Sequence, residues 1–173
     1  GVACGECVQA CPTGALMESS LVDDQGKRES YSDKIVESVC PYCGVGCQTE
    51  VHVKDDKILY VDGKNGPANE NRLCVKGRFG FDYINHEGRL TKPLVRKAGV
   101  KKDPNLEIKD ADIYDYFEET TWENAIERAS SGLLNLKEDH GPKSLAGFGS
   151  AKCSNEEAYL FQKLVRVGFG SNN

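Results

Sequence analysis

The feature that most constrains this chain is a group of cysteines with the spacing C-x2-C-x3-C-x26-C, formed by Cys40, Cys43, Cys47 and Cys74. Three of these thiols come from one short loop, and two glycines lie between the second and third cysteines. Glycine allows a tight turn that brings backbone N–H groups close to a bound group. A 4Fe–4S cluster held by three thiolates from one loop and a fourth from a distant element has this pattern. We predict that these four cysteines bind one such cluster.

A structural zinc site is the alternative interpretation of the same cysteines. Zinc usually takes two separated pairs of Cys or His ligands, one from each of two knuckles, and a three-plus-one arrangement matches that poorly. Eight cysteines are many for 173 residues, and all except Cys153 fall into spacings typical of metal sites. This usage favours a reducing compartment over a disulfide-bonded secreted protein.

A second cysteine pattern, C-x2-C-x3-C-P, opens the chain and is formed by Cys4, Cys7 and Cys11. It matches the last three quarters of the bacterial ferredoxin motif, in which the cysteine before proline ligates a different cluster from its neighbours. We therefore predict that Cys4 and Cys7 bind a second cluster and that Cys11 binds a third. The first cysteine of the motif would fall at Gly1, and we expect the numbering to begin inside a longer chain that supplies the missing ligands. A fortuitous CxxC is the alternative.

A β-hairpin is predicted between the third and fourth cysteines of the central group. Residues 48–62 alternate apolar and polar side chains around Asp55 and Asp56. His52 lies within one strand, and we interpret it as an exposed residue rather than a ligand. The candidates for burial on one face or the other are Val51, Val53, Ile58 and Tyr60.

Two helices and a short strand are predicted after residue 120. Thr120 and the glutamate three residues later are spaced as a capping box, and the apolar face of the helix includes Trp122, interpreted as a core residue. Residues 144–149 predict a short buried strand. Ser154 and a second glutamate cap the next helix, which we expect to end at Gly168. This order predicts an α/β unit, and such units bind ligands at the carboxyl ends of their strands.

The overall composition narrows the classes of function. The net charge is −5 without a long basic stripe, which argues against nucleic acid as a partner. No apolar run approaches the ~18 residues of a spanning helix, and no signal peptide is visible. We expect a cytoplasmic protein without a transmembrane segment.

Longer stretches around these motifs resemble a known family. CPYCGVGC and LCVKGRFGFDYINHEGRLTKPLVRK resemble the iron–sulfur domain that opens the large subunit of molybdopterin oxidoreductases. GSAKCSNEEAYLFQKLVR resembles the pterin-nucleotide region of formate dehydrogenases. Within the superfamily, the chain is most similar to the N-terminal part of the alpha subunit of cytoplasmic formate dehydrogenases.

The patterns and the resemblance together predict a mixed α+β and α/β fold in four parts. Residues 1–38 are the end of a ferredoxin-like two-cluster module with a linker, and residues 39–98 are a small β-rich 4Fe–4S domain. Residues 99–120 are a linker or insertion. Residues 121–173 are the start of an α/β domain that binds the pterin cofactor.

The resemblance also implies roles for single residues. Lys76, in the family's C-x-K-G motif, lies between the cluster and a pterin and relays electrons. Lys152 and Ser154 are candidates for binding molybdopterin guanine dinucleotide, which carries molybdenum or tungsten. No histidine here follows a cysteine as it does at the family's metal-ligating Cys or selenocysteine, so we expect the catalytic residues beyond residue 173. Cys153 is not expected to be catalytic.

The resemblance implies a formate dehydrogenase, which oxidises formate to carbon dioxide or catalyses the reverse. Electrons would pass through 4Fe–4S clusters to other subunits of an electron-transfer complex, such as a flavin/NAD-linked or ferredoxin-linked subunit. Three alternatives stay open: a catalytically inert iron–sulfur subunit of a respiratory NADH dehydrogenase, another molybdopterin oxidoreductase such as nitrate reductase, and a zinc-binding interaction module.

Overall fold

A computed structural model describes residues 3–28, 31–109 and 112–173, and the chain divides into two compact units. The first unit comprises the chain up to Asn85 together with Phe148–Lys163. The second comprises His86–Gly147 together with Leu164–Asn173. Gly1, where the ferredoxin motif would have its first cysteine, lies outside the described residues.

The first unit is built on a three-stranded antiparallel sheet in the order β1-β2-β3. The strands are β1 (Lys34–Val39), β2 (Gln48–Lys54) and β3 (Lys57–Gly63). The hairpin predicted for residues 48–62 is confirmed by the pairing of β2 with β3. Its turn residues Asp55 and Asp56 have φ angles of 49° and 58°, and two left-handed residues form the type I′ turn that suits a two-residue hairpin.

The sheet is covered on both faces of β2. Val53 and Thr49 are buried on one face, and His52 is buried on the other with 8% of its surface exposed. The interpretation of His52 as an exposed residue is therefore wrong. Its ring stacks on Tyr60 with centroids 4.0 Å apart, and its Nδ1 lies 3.3 Å from the hydroxyl of Ser32. The segment before β1 lies against the sheet and covers this face.

The helices of the first unit are short. They are α1 (Glu6–Gln9), α2 (Val75–Phe79) and α5 (Asn155–Lys163), with 3-10 turns at Ser19–Leu21 and Asp82–Asn85. The capping box at the start of α5 is confirmed. The N–H of Ser154 donates to Oε2 of Glu157 at 2.7 Å, and the N–H of Glu157 donates to the Ser154 hydroxyl at 3.2 Å.

The second unit contains a two-stranded antiparallel sheet of β4 (Leu94–Arg96) and β5 (Phe117–Glu119). A short helix, α3 (Ile113–Tyr116), precedes β5, and the long helix α4 (Trp122–His140) follows it. A 3-10 turn spans Pro142–Ser144, and a π-helix spans Leu164–Phe169. Among the residues that the structure describes, no helix has the length and apolarity needed to cross a membrane.

Three expectations for this part of the chain are corrected. The N-cap of α4 is Thr121 rather than Thr120, because its hydroxyl accepts the N–H of Asn124 at 3.3 Å. Trp122 is 66% exposed rather than in the core, and α4 contains no buried residue. Gly168 does not end the last helix, whose π-helical part runs to Phe169 and is followed by Gly170 at φ 74°.

The strand predicted at residues 144–149 is also wrong. The chain after Ser144 is irregular, and Phe148 is 96% exposed although Leu145 is buried. A strand exists only when a neighbouring strand satisfies its backbone hydrogen bonds. Here the N–H of Gly147 instead donates to the carbonyl oxygen of Asn173 at 3.0 Å.

Candidate metal centre

The connection between β1 and β2 carries three of the predicted cluster ligands, Cys40, Cys43 and Cys47. The strand pairing ends with Val39 opposite Gln48. One step further, the N–H of Cys40 donates to the carbonyl oxygen of Cys47 at 2.9 Å. The C-x2-C-x3-C motif is therefore a closed loop at the end of a β-ladder, and the sheet fixes both of its ends.

The fourth predicted ligand, Cys74, begins α2 at the end of a loop formed by residues 64–73. A buried residue of this loop, Asn69, ties it to the start of β2. The Asn69 Nδ2 lies within 3.0 Å of the carbonyl oxygen of Gln48 and within 3.0 Å of that of Arg72, and its Oδ1 accepts the N–H of Gln48 at 2.9 Å. Because Gln48 directly follows the third cysteine of the loop, Asn69 links that cysteine to the segment that leads to Cys74.

Sequence reasoning missed Asn69. The only signal in the sequence is that Asn69 lies in a loop rich in Gly, Pro and Asn, which is typical of many turns. Its four hydrogen bonds, two to Gln48 and one each to Lys64 and Arg72, join the start of β2 to both ends of the loop, so a local pattern does not reveal them.

Neighbouring thiols of the central group raise the pKa values of Cys40 and Cys47, so the structure places the four cysteines near one another. Burial raises the pKa of Cys40, and the neighbouring thiols of Cys74 and Cys43 raise it further. Burial also raises the pKa of Cys47, with added contributions from the other three cysteines. Thiols that destabilise each other's thiolate form in this way gain most from a bound cationic group, which offsets the repulsion.

Cys74 differs from its neighbours because α2 begins there. Its pKa is lowered mainly by a hydrogen bond from the N–H of Gly77, against a smaller effect of burial, with further lowering by the N–H and the charge of Lys76. The Lys76 charge also lowers the pKa of Cys40. The exposed Lys76 side chain thus lies within electrostatic reach of two of the four thiols.

The donor set fits an iron–sulfur cluster. It consists of four sulfur atoms, and soft thiolates select iron–sulfur clusters or zinc. Among residues 3–28, 31–109 and 112–173, no three His, Cys, Asp or Glu side chains are grouped closely enough for one metal ion. A cubane binds each thiolate through a different iron atom, so its ligands need not meet at a single ion. The assignment of these four cysteines to one 4Fe–4S cluster stays a prediction.

The N-terminal cysteines lie around α1. Cys4 precedes this helix, Cys7 lies within it and Cys11 follows it. Hydrogen bonding lowers the pKa of Cys11 to about 6, first from the Thr13 hydroxyl and then from the N–H groups of Leu16, Thr13 and Ala15. A thiol with such a pKa is largely a thiolate at neutral pH, which is the form that binds metals. The division of these cysteines between two clusters also stays a prediction.

The candidates for cofactor binding, Lys152 and Ser154, lie in the loop before α5. The N–H of Lys152 donates to the hydroxyl of Ser150 at 3.1 Å, and the Ser154 hydroxyl belongs to the capping box. A pocket of about 450 Å³ next to this loop includes neither residue in its lining. It is lined by Phe148, Gly149, Ser150, Cys153, Glu157, Ala158 and Phe161.

Comparison with known families covers almost the whole chain. A model of the molybdopterin oxidoreductase Fe4S4 domain matches residues 33–86, and a model described as molybdopterin oxidoreductase matches residues 89–173. The chain belongs to the molybdopterin oxidoreductase family. A third model, of a 4Fe-4S binding domain, matches residues 2–17 of this family member. The predicted family, the mixed fold and the presence of iron–sulfur and molybdopterin domains are therefore confirmed.

Several proteins resemble this molybdopterin oxidoreductase over nearly its full sequence. "Probable oxidoreductase YjgC" of Bacillus subtilis is 35% identical over 99% of the chain and 20% of its own length. A "Putative formate dehydrogenase" of Staphylococcus aureus is 36% identical over the same shares. "NADPH-Fe(3+) oxidoreductase subunit alpha" of Geobacter sulfurreducens is 35% identical over 98% of the chain and 17% of its own length. The chain thus spans a fifth or less of these relatives.

Proposed function

We propose that this chain is part of the catalytic subunit of a formate dehydrogenase, which oxidises formate to carbon dioxide or catalyses the reverse. The observation that carries the proposal is the grouping of four thiols within the part of the chain that matches the Fe4S4 domain. Formate as the substrate is supported by the name of the staphylococcal relative. The reaction centre of the full-length protein is molybdenum or tungsten held by molybdopterin guanine dinucleotide.

We assign Cys40, Cys43, Cys47 and Cys74 to one 4Fe–4S cluster, Cys4 and Cys7 to a second, and Cys11 to a third. Bound clusters supply one-electron transfer, with potentials set by hydrogen bonds to sulfur and by exposure to solvent. At the central site this chain provides both hydrogen bonds to sulfur and shielding from solvent. The N–H groups of Gly77 and Lys76 donate to the Cys74 sulfur, and the protein buries Cys40.

We assign Lys76 the role of relay between the iron–sulfur and pterin groups. Its support is the effect of its charge on Cys74 and Cys40. In the full-length enzyme, Lys76→Ala should keep its iron but slow the reduction of the clusters by formate, whereas the exposed hairpin variant Lys57→Ala should match the wild type. If formate reduces the clusters at equal rates in the two variants, Lys76 is only a solvated surface charge.

We further propose that Lys152 and Ser154 contact the phosphates of the pterin dinucleotide. Both lie at the N-terminus of α5, and helix N-termini favour phosphate groups. The electron acceptor is another subunit, linked to flavin and NAD or to ferredoxin, and the complex is located in the cytoplasm.

The test is elemental analysis and formate-dependent dye reduction, with the full-length protein and the isolated segment 1–173. We expect molybdenum or tungsten and formate oxidation only in the full-length protein, because the segment is too small to enclose two dinucleotides. Stoichiometric metal or turnover in the segment would mean that the active site is misplaced. An inactive full-length protein without the metal would favour an inert iron–sulfur subunit of an NADH dehydrogenase.

A second candidate function is NADPH-dependent reduction of an acceptor. It is favoured by the Geobacter relative, whose name gives NADPH and Fe(3+) and which matches 98% of the chain. The same dye assay with NADPH in place of formate separates the two. Reduction by formate alone supports a formate dehydrogenase, and reduction by NADPH alone supports the second candidate.

A further inference from the structure

One arginine joins the N-terminal cysteine segment to the domain that contains the other cysteine group. Arg78 belongs to α2 and exposes only 1% of its surface. Its Nε donates to the carbonyl oxygen of Cys4 at 3.0 Å, and its Nη1 donates to Oδ1 of Asp62 at 2.9 Å. Its Nη2 donates to Oε1 of Glu6 at 2.7 Å and to Oε1 of Gln9 at 2.8 Å. Three of these four partners lie in or next to α1, and one lies in β3.

The partners of Arg78 also bond directly to the domain. The N–H of Leu73 donates to Oε1 of Glu6 at 2.9 Å. The Nε2 of Gln9 donates to the carbonyl oxygen of Gly63 at 2.9 Å, and the N–H of Gly63 donates to Oε1 of Gln9 at 3.0 Å. Helix α1 has no buried residue of its own, so polar contacts rather than an apolar core hold it to the domain.

The shapes of the two segments also match at this junction. Gly5 has a φ of 75°, and a Cβ at this position would lie 2.3 Å from Cδ of Arg78 and 2.7 Å from Cζ of Phe79. Only glycine allows the backbone between Cys4 and Cys7 to approach so closely. The apolar stem of Arg78 therefore packs on the backbone of the CxxC motif while its guanidinium binds the polar groups around it.

A buried arginine is expensive to desolvate and is weak evidence for stability on its own. Its planar guanidinium, however, orients several acceptors at once, which a lysine point charge does not do. We infer that Arg78 is a positioning residue that fastens the Cys4–Gln9 segment to the domain of Cys40 and Cys74, and so fixes the separation of the two cysteine groups. The consequence for electron transfer rests on the proposed function, in which both groups hold clusters.

The first test uses Arg78→Lys in the full-length protein, with the exposed α4 variant Arg128→Lys as control. Loss of charge-assisted hydrogen bonds should speed amide hydrogen exchange in residues 4–11 by about 10- to 100-fold, without a comparable change in the hairpin 48–63. The magnetic interaction between the reduced clusters, measured by electron paramagnetic resonance, should weaken at the same time. Arg128→Lys should change neither signal. Unchanged exchange in residues 4–11, or equal acceleration throughout the protein, would overturn the inference.

A milder variant keeps the test valid if Arg78→Lys does not fold. Glu6→Gln keeps Arg78 and a neutral acceptor for it, so exchange in residues 4–11 should rise only by roughly fivefold. Glu127→Gln on α4 is its matched control and should behave as the wild type. If Glu6→Gln also leaves exchange in residues 4–11 unchanged, Arg78 does not position this segment.

Hydrogen exchange needs no turnover, so the inference and the proposed function fail separately. A protein without formate oxidation in which both variants loosen residues 4–11 supports the positioning role and contradicts the formate assignment. A protein that oxidises formate and shows no local loosening contradicts the positioning role alone.

Discussion

The side-chain amide of Asn155 donates a hydrogen bond of 2.7 Å to the carbonyl oxygen of Gly44, a residue 111 positions earlier in the chain. A Cβ at position 44 would lie 2.6 Å from Oδ1 of Asn155, so glycine lets the Asn155 side chain lie against this part of the loop. Gly44 lies in the loop between Cys43 and Cys47, and Asn155 is the first residue of α5. The start of a helix in the molybdopterin oxidoreductase match therefore supports the loop with three of the predicted cluster ligands.

We predict that Asn155→Ala weakens this loop. Loss of one exposed, neutral hydrogen bond should cost about 0.5–1.5 kcal/mol of local stability. In the full-length protein, hydrogen exchange of residues 40–47 should speed up, and bound iron should be lost faster on exposure to air. Asn135→Ala, on the exposed surface of α4, is the control. Equal iron loss in the two variants would show that the contact does not stabilise the loop.

Replacing Cys74 tests the central cluster. Since a 4Fe–4S cluster needs all four thiolates, Cys74→Ser should lower the iron content by about four atoms per chain. Cys153→Ser is the matched control, because Cys153 lies apart from both cysteine patterns and its thiol donates to the carbonyl oxygen of Ser150 at 3.1 Å. Iron and inorganic sulfide analysis measures the outcome. Full iron content in Cys74→Ser would contradict the assignment.

His52 should make stability depend on pH. Burial lowers its pKa from 6.5, against the opposing charges of Asp62, Glu50 and Glu18, and the charge of Arg28 lowers it further. The unfolded chain therefore binds this proton at a higher pH than the folded chain does. The contribution of neutral His52 is fully present above about pH 6.5 and is lost as the pH falls below that value.

The measurement is the urea midpoint at pH 7.5 and pH 5.5. His52→Gln should reduce the difference between the two midpoints, because glutamine does not titrate. His140→Gln changes an exposed histidine at the end of α4 and should leave the difference as in the wild type. If both variants keep the wild-type difference, burial of His52 does not control the acid sensitivity.

The hairpin turn offers a stabilising substitution. Asp56 has a φ of 58°, a conformation that glycine adopts without steric cost, and glycine is favoured at the second position of a type I′ turn. Asp56→Gly should raise the free energy of unfolding by roughly 0.5–1 kcal/mol, despite losing an exposed ion pair with Lys34. Asp24→Gly, at a turn residue without positive φ, should instead destabilise the protein. Thermal unfolding of both variants measures whether Asp56→Gly raises, and Asp24→Gly lowers, the stability of the protein.

The parts of the fold that the sequence predicted correctly depend on local spacing. The alternation of residues 48–62 defined a hairpin, and Ser154 with Glu157 defined a helix start. Each of these signals involves neighbours within a few residues. The spacing of Cys40, Cys43 and Cys47 likewise follows from one loop, whose ends are fixed by adjacent strands.

The features that the sequence did not reveal depend on distant contacts. Arg78 bonds to Cys4 across 74 positions, and the four contacts of Asn69 join backbone groups of separate segments. His52 was wrongly predicted to be exposed, because its burial comes from residues before β1 that have no periodic pattern. The exposure of Trp122 was predicted wrongly for another reason, since the helical spacing of apolar residues predicts a buried face, whereas α4 contains no buried residue.

The junction at Arg78 has a consequence for how the protein matures. During synthesis Glu6 leaves the ribosome 72 residues ahead of Arg78, which at typical rates of elongation is a delay of roughly 4 to 14 seconds. Throughout that interval the first three cysteines lack the surface on which they dock. Their native surroundings form only after residue 78 has emerged. In the proposed assignment, delivery of iron and sulfide to this segment in its final geometry would follow translation of the central domain.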